Sequence, residues 1–112
     1  MDYPLFSNKP ASQLLYQELL TQIQAIGPMS EELKKTSIHL VAGKGAFLGV
    51  HPLGKGISVN IVLDHLLINP RVRKSEAVSK NRFHNEIAIT TPEEIDHELL
   101  DWIKESYLLK TK

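Results

Sequence analysis

The chain has 112 residues, no cysteine and a formal net charge of zero, with 13 basic and 13 acidic residues. This length predicts one domain spanning residues 1–112, large enough to bury a core without covalent staples. The absence of cysteine excludes disulfides, thiolate catalysis and cysteine-ligated zinc. No apolar run exceeds three residues, far below the ~20 needed to cross a bilayer, and the acidic start does not resemble a signal peptide. We therefore expect a cytoplasmic protein without a membrane partner.

The first third of the chain predicts a single amphipathic helix. Residues 1–9 are interpreted as a loosely tied N-terminal segment. In Pro10–Ile26 apolar residues recur at helical spacing, and Gly27–Pro28 ends the pattern, because glycine suits a helix cap and proline cannot continue a helix. Ser30–Lys35 has a serine before two glutamates, which favours one further short helical turn.

Three strands are predicted next, Ser37–Ala42, Ala46–His51 and Gly56–Leu63. The third strand has a large apolar residue at every second position from Ile57 onward, which is typical of a strand that is buried on one face. Gly-Lys-Gly separates each strand from the next. Glycines suit hairpin turns because they accept positive φ values, so this segment predicts an antiparallel meander.

The rest of the chain predicts a basic segment, a strand and a closing helix. Arg71–Val78 follows a break at Asn69–Pro70 and is interpreted as an extended or loop segment. Phe83–Ile89 alternates like a strand, and Thr91–Glu94 has the sequence of a capping box that begins a helix ending near Leu109. The expected fold is α+β, with an antiparallel four- to five-stranded sheet and an N-terminal and a C-terminal helix packed on one face.

Three sequence elements resemble a bacterial family of unknown function, DUF5655. They are Phe47–Pro52, the Pro70–Lys74 element that leads to Arg82, and the closing helix Pro92–Tyr107, and they stand in the family's order. The resemblance implies a bacterial domain that occurs alone or fused to other domains, and some relatives are labelled predicted transport protein. It implies no catalytic residue. Ser106 stands where the family's pattern leads us to expect alanine.

Charge is distributed unevenly along the chain. Between Lys44 and His84 there are seven basic and two acidic residues, whereas the remainder has six basic and eleven acidic ones. Because arginine forks bind phosphate and carboxylate, this segment predicts an anion-binding band, with Phe47 as a stacking surface beside it. Its candidate ligand-binding residues are Lys44, Arg71, Arg73, Lys74, Arg82 and His84. The alternative is that these bases pair with nearby acids and only solvate the surface.

No pattern of reaction chemistry stands out in the chain. Neither Gly-Lys-Gly is followed by the hydroxyl residue and helix of a phosphate-binding loop. The five histidines show no pair at metal-binding spacing and no compact group with carboxylates, although a sheet can bring His51 and His84 together. The serines lack the setting of a nucleophile, and the carboxylates are dispersed. We therefore predict no catalytic residue, no metal and no cofactor.

Three hypotheses for the function follow. The favoured one is a small non-catalytic binding or adaptor module whose basic band meets an anionic ligand or protein partner. Nucleic acid is weakly supported as that partner, because the isoelectric point is near 7 and aromatic residues are few. The second is an enzyme acting on a phosphorylated or nucleic-acid substrate through His84 and Arg82. The third is a self-associating subunit, such as a homodimer, that pairs through an exposed strand edge.

Overall fold

The computed structural model describes residues 3–112, and Met1 and Asp2 lie outside the described residues. Two helices begin and end the fold, and six strands lie between them. They are α1 (Pro10–Gln24), β1 (Ser30–Leu33), β2 (Ile38–Ala42), β3 (Gly45–Leu53), β4 (Gly56–Leu63), β5 (Val72–Ser79), β6 (Arg82–Ile89) and α2 (His97–Thr111). Short 3-10 turns at Pro4–Phe6 and Pro92–Glu94 precede the two helices.

The six strands form one antiparallel sheet in the order β1-β2-β3-β4-β6-β5. The α+β class and the two helices predicted from the sequence are confirmed, but the expected number of four to five strands is wrong. The two edge strands account for the difference. Arg71–Val78, interpreted as extended or loop, supplies β5 along the free side of β6, and β1 was not expected.

The helical turn predicted at Ser30–Lys35 is wrong, because Ser30–Leu33 pairs antiparallel with β2. The local sequence resembles a helix start, but tertiary contacts decide the conformation. The hydroxyl groups of Tyr3 and Tyr16 both donate hydrogen bonds to the carboxylate of Glu31. These bonds hold β1 against α1 and against the first described residues. Because the contacts are distant in sequence, the local propensity of Ser30–Leu33 does not predict them.

One hydrophobic core lies between the sheet and the two helices. α1 contributes Leu19 and Ile23, and α2 contributes Leu99 and Ile103, all fully buried. The sheet's contribution comes mainly from the alternate apolar positions of its central strands: Ile57, Val59, Ile61, Leu63, Ile87 and Ile89. In the segment predicted to be loosely tied, Tyr3 and Phe6 are buried in the same core. Among residues 3–112, neither helix combines the length and apolarity that spanning a membrane requires.

The C-terminal helix begins later than the capping box predicted. Thr91–Glu94 does form a capped turn, and the Glu94 carboxylate accepts the backbone N–H groups of Thr90 and Thr91 at 2.8 and 3.1 Å. That turn is a 3-10 turn, and the chain bends at Ile95, which is buried. Asp96 then caps α2 by accepting the N–H of Leu99 at 3.0 Å. A second capping residue five positions on thus starts the helix anew.

A bulge in β3 reorients Phe47. Leu40 pairs with Leu48 but Val41 pairs with Ala46, so Phe47 is an extra residue in its strand. The bulge turns Phe47 into the core, where its ring packs edge-on against Tyr107 with centroids 5.3 Å apart. The proposed role of Phe47 as a stacking surface for a ligand is therefore wrong.

The bulge also explains the polar residue in the middle of α2. Ser106 is fully buried, and its hydroxyl lies 2.6 Å from the carbonyl oxygen of Phe47 and 2.5 Å from that of Val62. These carbonyls lie beside the bulge, one residue beyond Leu48 and Ile61, the last pair between β3 and β4. The serine therefore supplies a hydrogen-bond donor where the sheet has none, a role that alanine would leave unfilled.

Candidate anion-binding site

A cleft of about 500 Å³ opens on the face of the sheet opposite the helices. Strands β2 to β6 contribute to it, together with the end of α2. Ala46 and Val62 line it with apolar surface. Its nitrogen-bearing side chains are His39, His51, His84, Arg82, Lys110 and Asn60. No carboxylate lines the cleft within the described residues, so its electrostatic character is positive or neutral.

The strand register brings these side chains together. His39 pairs with Gly49, Gly49 with Asn60, and Asn60 with Glu86, in one row across the sheet. Gly49 has no side chain and leaves a depression in the middle of that row. A Cβ atom at Gly49 would lie 3.7 Å from Asn60 Cβ and 3.9 Å from His39 Cδ2. A larger residue at this position would therefore fill the cleft, which gives a physical reason for glycine in the Phe47–Pro52 element.

A smaller recess of about 140 Å³ adjoins the cleft and shares Asn60 and His84 with it. Its remaining lining residues are Lys74, Glu76 and Glu86. The ammonium group of Lys74 lies 3.7 Å from the Glu76 carboxylate. Glu86 is half-buried and forms no ion pair with any residue between 3 and 112. The open face thus carries a cationic part and, beside it, a part with two carboxylates.

Four of the residues predicted from the sequence lie in or beside this site. Arg82 and His84 line the cleft, and Lys74 lines the recess. Lys44 occupies the turn before β3, and its backbone N–H donates to the Lys110 carbonyl at 2.8 Å. Because β3 starts where β4 ends and β6 begins, Lys44 is at the same end of the sheet as Arg82. Arg73 lies exposed on β5 and does not line the cleft.

Arg71, like Arg73, lies outside the cleft, and its side chain is engaged elsewhere. Its Nη1 atom donates to the Asp96 carboxylate at 2.9 Å and to Glu98 at 3.2 Å, and its Nη2 atom donates to the Glu94 carbonyl at 2.7 Å. Its guanidinium carbon lies 6.0 Å from the centre of the Trp102 ring. The side chain therefore holds the start of β5 against the start of α2, on the helical side of the sheet.

Four nitrogen-bearing residues of the cleft were not among the binding candidates predicted from the sequence: His39, His51, Asn60 and Lys110. The alternation of β4 places Asn60 on the open face, but only the sheet register reveals which residues from other strands accompany it. Lys110 reaches the cleft from the far end of the chain, which no local pattern indicates. The pKa of His39 is lowered, mainly by burial of the ring and also by the nearby positive charge of Lys34. Burial therefore favours the neutral form of the His39 ring.

A separate surface group corrects the expectation that no histidine lies close to carboxylates. Nε2 of His65 is 2.6 Å from Glu105 Oε2 and 4.0 Å from Asp64 Oδ1. One donor atom from each residue lies within 4.8 Å of the others, a spacing that fits ligands of a divalent cation. The hydrogen bond to Glu105 raises the pKa of His65. A protonated ring satisfies this exposed group without a cation, because the imidazolium donates to the carboxylate.

A comparison with protein families matches the chain over almost its whole length. The family model described as "Domain of unknown function (DUF5655)" matches residues 4–110. That range contains the six described strands and every residue that lines the cleft. Comparisons with curated proteins and with solved structures find no match.

Proposed function

We propose that this chain, which belongs to the DUF5655 family, is a small non-catalytic binding module that holds a small anion in the open-face cleft. One observation carries the proposal: the ionisable side chains of the cleft are three histidines, Arg82 and Lys110, without a carboxylate among the described lining residues. A volume of about 500 Å³ falls within the range of sites for small molecules.

The cleft has both basic and apolar lining residues, which suggests a ligand with an anionic group on a small apolar body. Arg82 donates one hydrogen bond, from Nη1 to the Asn81 carbonyl at 2.7 Å. A guanidinium has five N–H donors, so Arg82 retains several for a phosphate or carboxylate. Ala46, Val62 and Val78 provide apolar surface for the rest of the ligand.

The distribution of basic residues favours a small anion over nucleic acid. Arg71 is neutralised by Asp96 and Glu98, and Lys55 lies in the β3–β4 turn, at the opposite end of the sheet from Arg82. A continuous basic stripe along a face, as nucleic-acid backbones require, is therefore not formed by these residues. Self-association through the β5 edge is also disfavoured, because charged side chains on an edge strand oppose pairing. A cytoplasmic location remains part of the proposal.

Isothermal titration calorimetry with inorganic phosphate and with propyl phosphate tests the proposal. The double variant Arg82→Ala/Lys110→Ala should bind about tenfold more weakly or worse, because two charged donors are lost. Lys55→Ala, which removes a base outside the cleft, is the matched control and should bind within about twofold of the wild type. Unchanged affinity in the double variant, or no binding by the wild type, would refute the proposal. Steeply salt-dependent binding of a labelled oligonucleotide, without phosphate binding, would replace it with the nucleic-acid alternative.

A further inference from the structure

We infer that the ligand of this site is a small zwitterion, with a phosphate or carboxylate at one end and a primary ammonium group at the other. The inference rests on the proposed function and deepens it. The cationic cleft continues into the recess through two shared residues, Asn60 and His84. A ligand that extends from one into the other passes from Arg82 and Lys110 to a pair of carboxylates.

Glu86 is the group that selects the positive end. It is half-buried in the recess, opposite Asn60 on one neighbouring strand and Lys74 on the other. Lys74 has its ammonium group 3.7 Å from Glu76, and Glu86 has no ion pair within residues 3–112. A partly desolvated carboxylate that has no ion-pair partner is stabilised by a charged hydrogen-bond donor. An ammonium group is therefore the favoured occupant of this position.

The dimensions of the recess limit the size of the positive end. A volume of about 140 Å³ accommodates a group of a few heavy atoms, such as an aminoethyl chain. It is too small for an arginine-rich peptide or a second protein domain. Asn60 lies at the boundary, where its amide can donate to the anionic end and accept from the ammonium end. The ligand class is therefore an aminoalkyl phosphate or a small amino acid.

Pairs of ligands that differ only in the ammonium group provide the test. O-phosphoethanolamine is compared with propyl phosphate, and γ-aminobutyrate with pentanoate, because in each pair an ammonium replaces a methyl group. The ratio of the two affinities within a pair isolates the contribution of the positive end. The first pair addresses a phosphate at the anionic end and the second a carboxylate.

Calorimetry should show that the wild type binds the ammonium member of at least one pair about fivefold more tightly than its methyl counterpart. In Glu86→Gln the ratio should fall towards one, whereas Glu93→Gln, an exposed carboxylate outside both cavities, should retain it. Equal binding of both members by the wild type refutes the inference but leaves the proposed anion site intact. A ratio that survives in Glu86→Gln also refutes it. Binding of neither member overturns the proposed function and the inference together.

Discussion

Replacing Arg71 by alanine tests whether this residue of the predicted basic band stabilises the fold and takes no part in anion binding. The bond from the guanidinium to the Glu94 carbonyl is worth about 1.5 kcal/mol, as expected of a charged donor. The carboxylates of Asp96 and Glu98 are 46% and 48% exposed, so each ion pair adds only about 0.5 kcal/mol. Together these contacts predict that Arg71→Ala lowers the free energy of unfolding by about 2 to 3 kcal/mol.

Urea unfolding followed by circular dichroism measures this loss, and a thermal melt should show a Tm lower by roughly 10 °C. Arg73→Ala is the control, because Arg73 lies two residues further along the chain, exposed on β5, and its removal should cost less than about 0.5 kcal/mol. Anion affinity should be unchanged in both variants under conditions where they are folded. The reasoning is refuted if Arg71→Ala is no less stable than Arg73→Ala, or if it remains stable and loses anion binding.

Three further predictions concern stability, and chemical denaturation measures each of them. Ser106→Ala should cost about 1 to 3 kcal/mol, because it removes the buried hydroxyl donor that the carbonyl oxygens of Phe47 and Val62 share. Ser30→Ala, on an exposed edge position, should cost little, and equal losses would contradict the role given to Ser106. Gly56→Ala should destabilise by about 2 kcal/mol or more, because the new Cβ would lie 2.1 Å from a backbone oxygen of β6, whereas Gly54→Ala meets nothing within 4 Å. If Gly54→Ala were the more damaging change, this account of the β3–β4 turn would be wrong. Hydrogen bonding from the Thr90 backbone is the main cause that lowers the pKa of Glu94, so its charge stabilises the fold above about pH 4 and this contribution is lost as the pH falls further. Glu94→Gln should therefore be about 1 kcal/mol less stable than the wild type at pH 7, and the difference should shrink as the pH falls below about 4; a difference that stays constant as the pH falls would show that the charge is not responsible.

The sequence predicts the centre of this fold better than its edges. The alternation of apolar residues in β4 and β6 indicates that one face of each strand is buried. The two helices pack against that face of the central strands. β1 lacks such a signal, because it is short and acidic and is held by Tyr3 and Tyr16 through Glu31. The start of α2 was misplaced for a related reason. Two capping signals stand five residues apart, and only the contacts of Ile95 with the core decide between a continuous helix and a new one.

About half of the candidate site was accessible to sequence reasoning. Arg82 and His84 follow from charge and strand alternation, since Arg82 directly precedes the predicted strand Phe83–Ile89 and His84 lies within it. His39 and Lys110 enter the cleft only through strand register and the path of α2, which are long-range features. Arg71 belongs to the same stretch of sequence as Arg82, but its position before β5 directs its side chain towards Asp96 and α2. Proximity in sequence is therefore a poor guide to which charges share a surface.

Phosphate titration followed by two-dimensional ¹H–¹⁵N NMR tests the central claim most directly, because it locates the anion on the assigned protein. The account predicts saturable shift changes at the backbone amides of Gly49, Asn60, Arg82 and His84, which surround the cleft. It predicts no comparable change at Arg71, which is occupied by carboxylates on the helical side. Changes centred on Arg71 and the start of α2, or no saturable change anywhere, would contradict it.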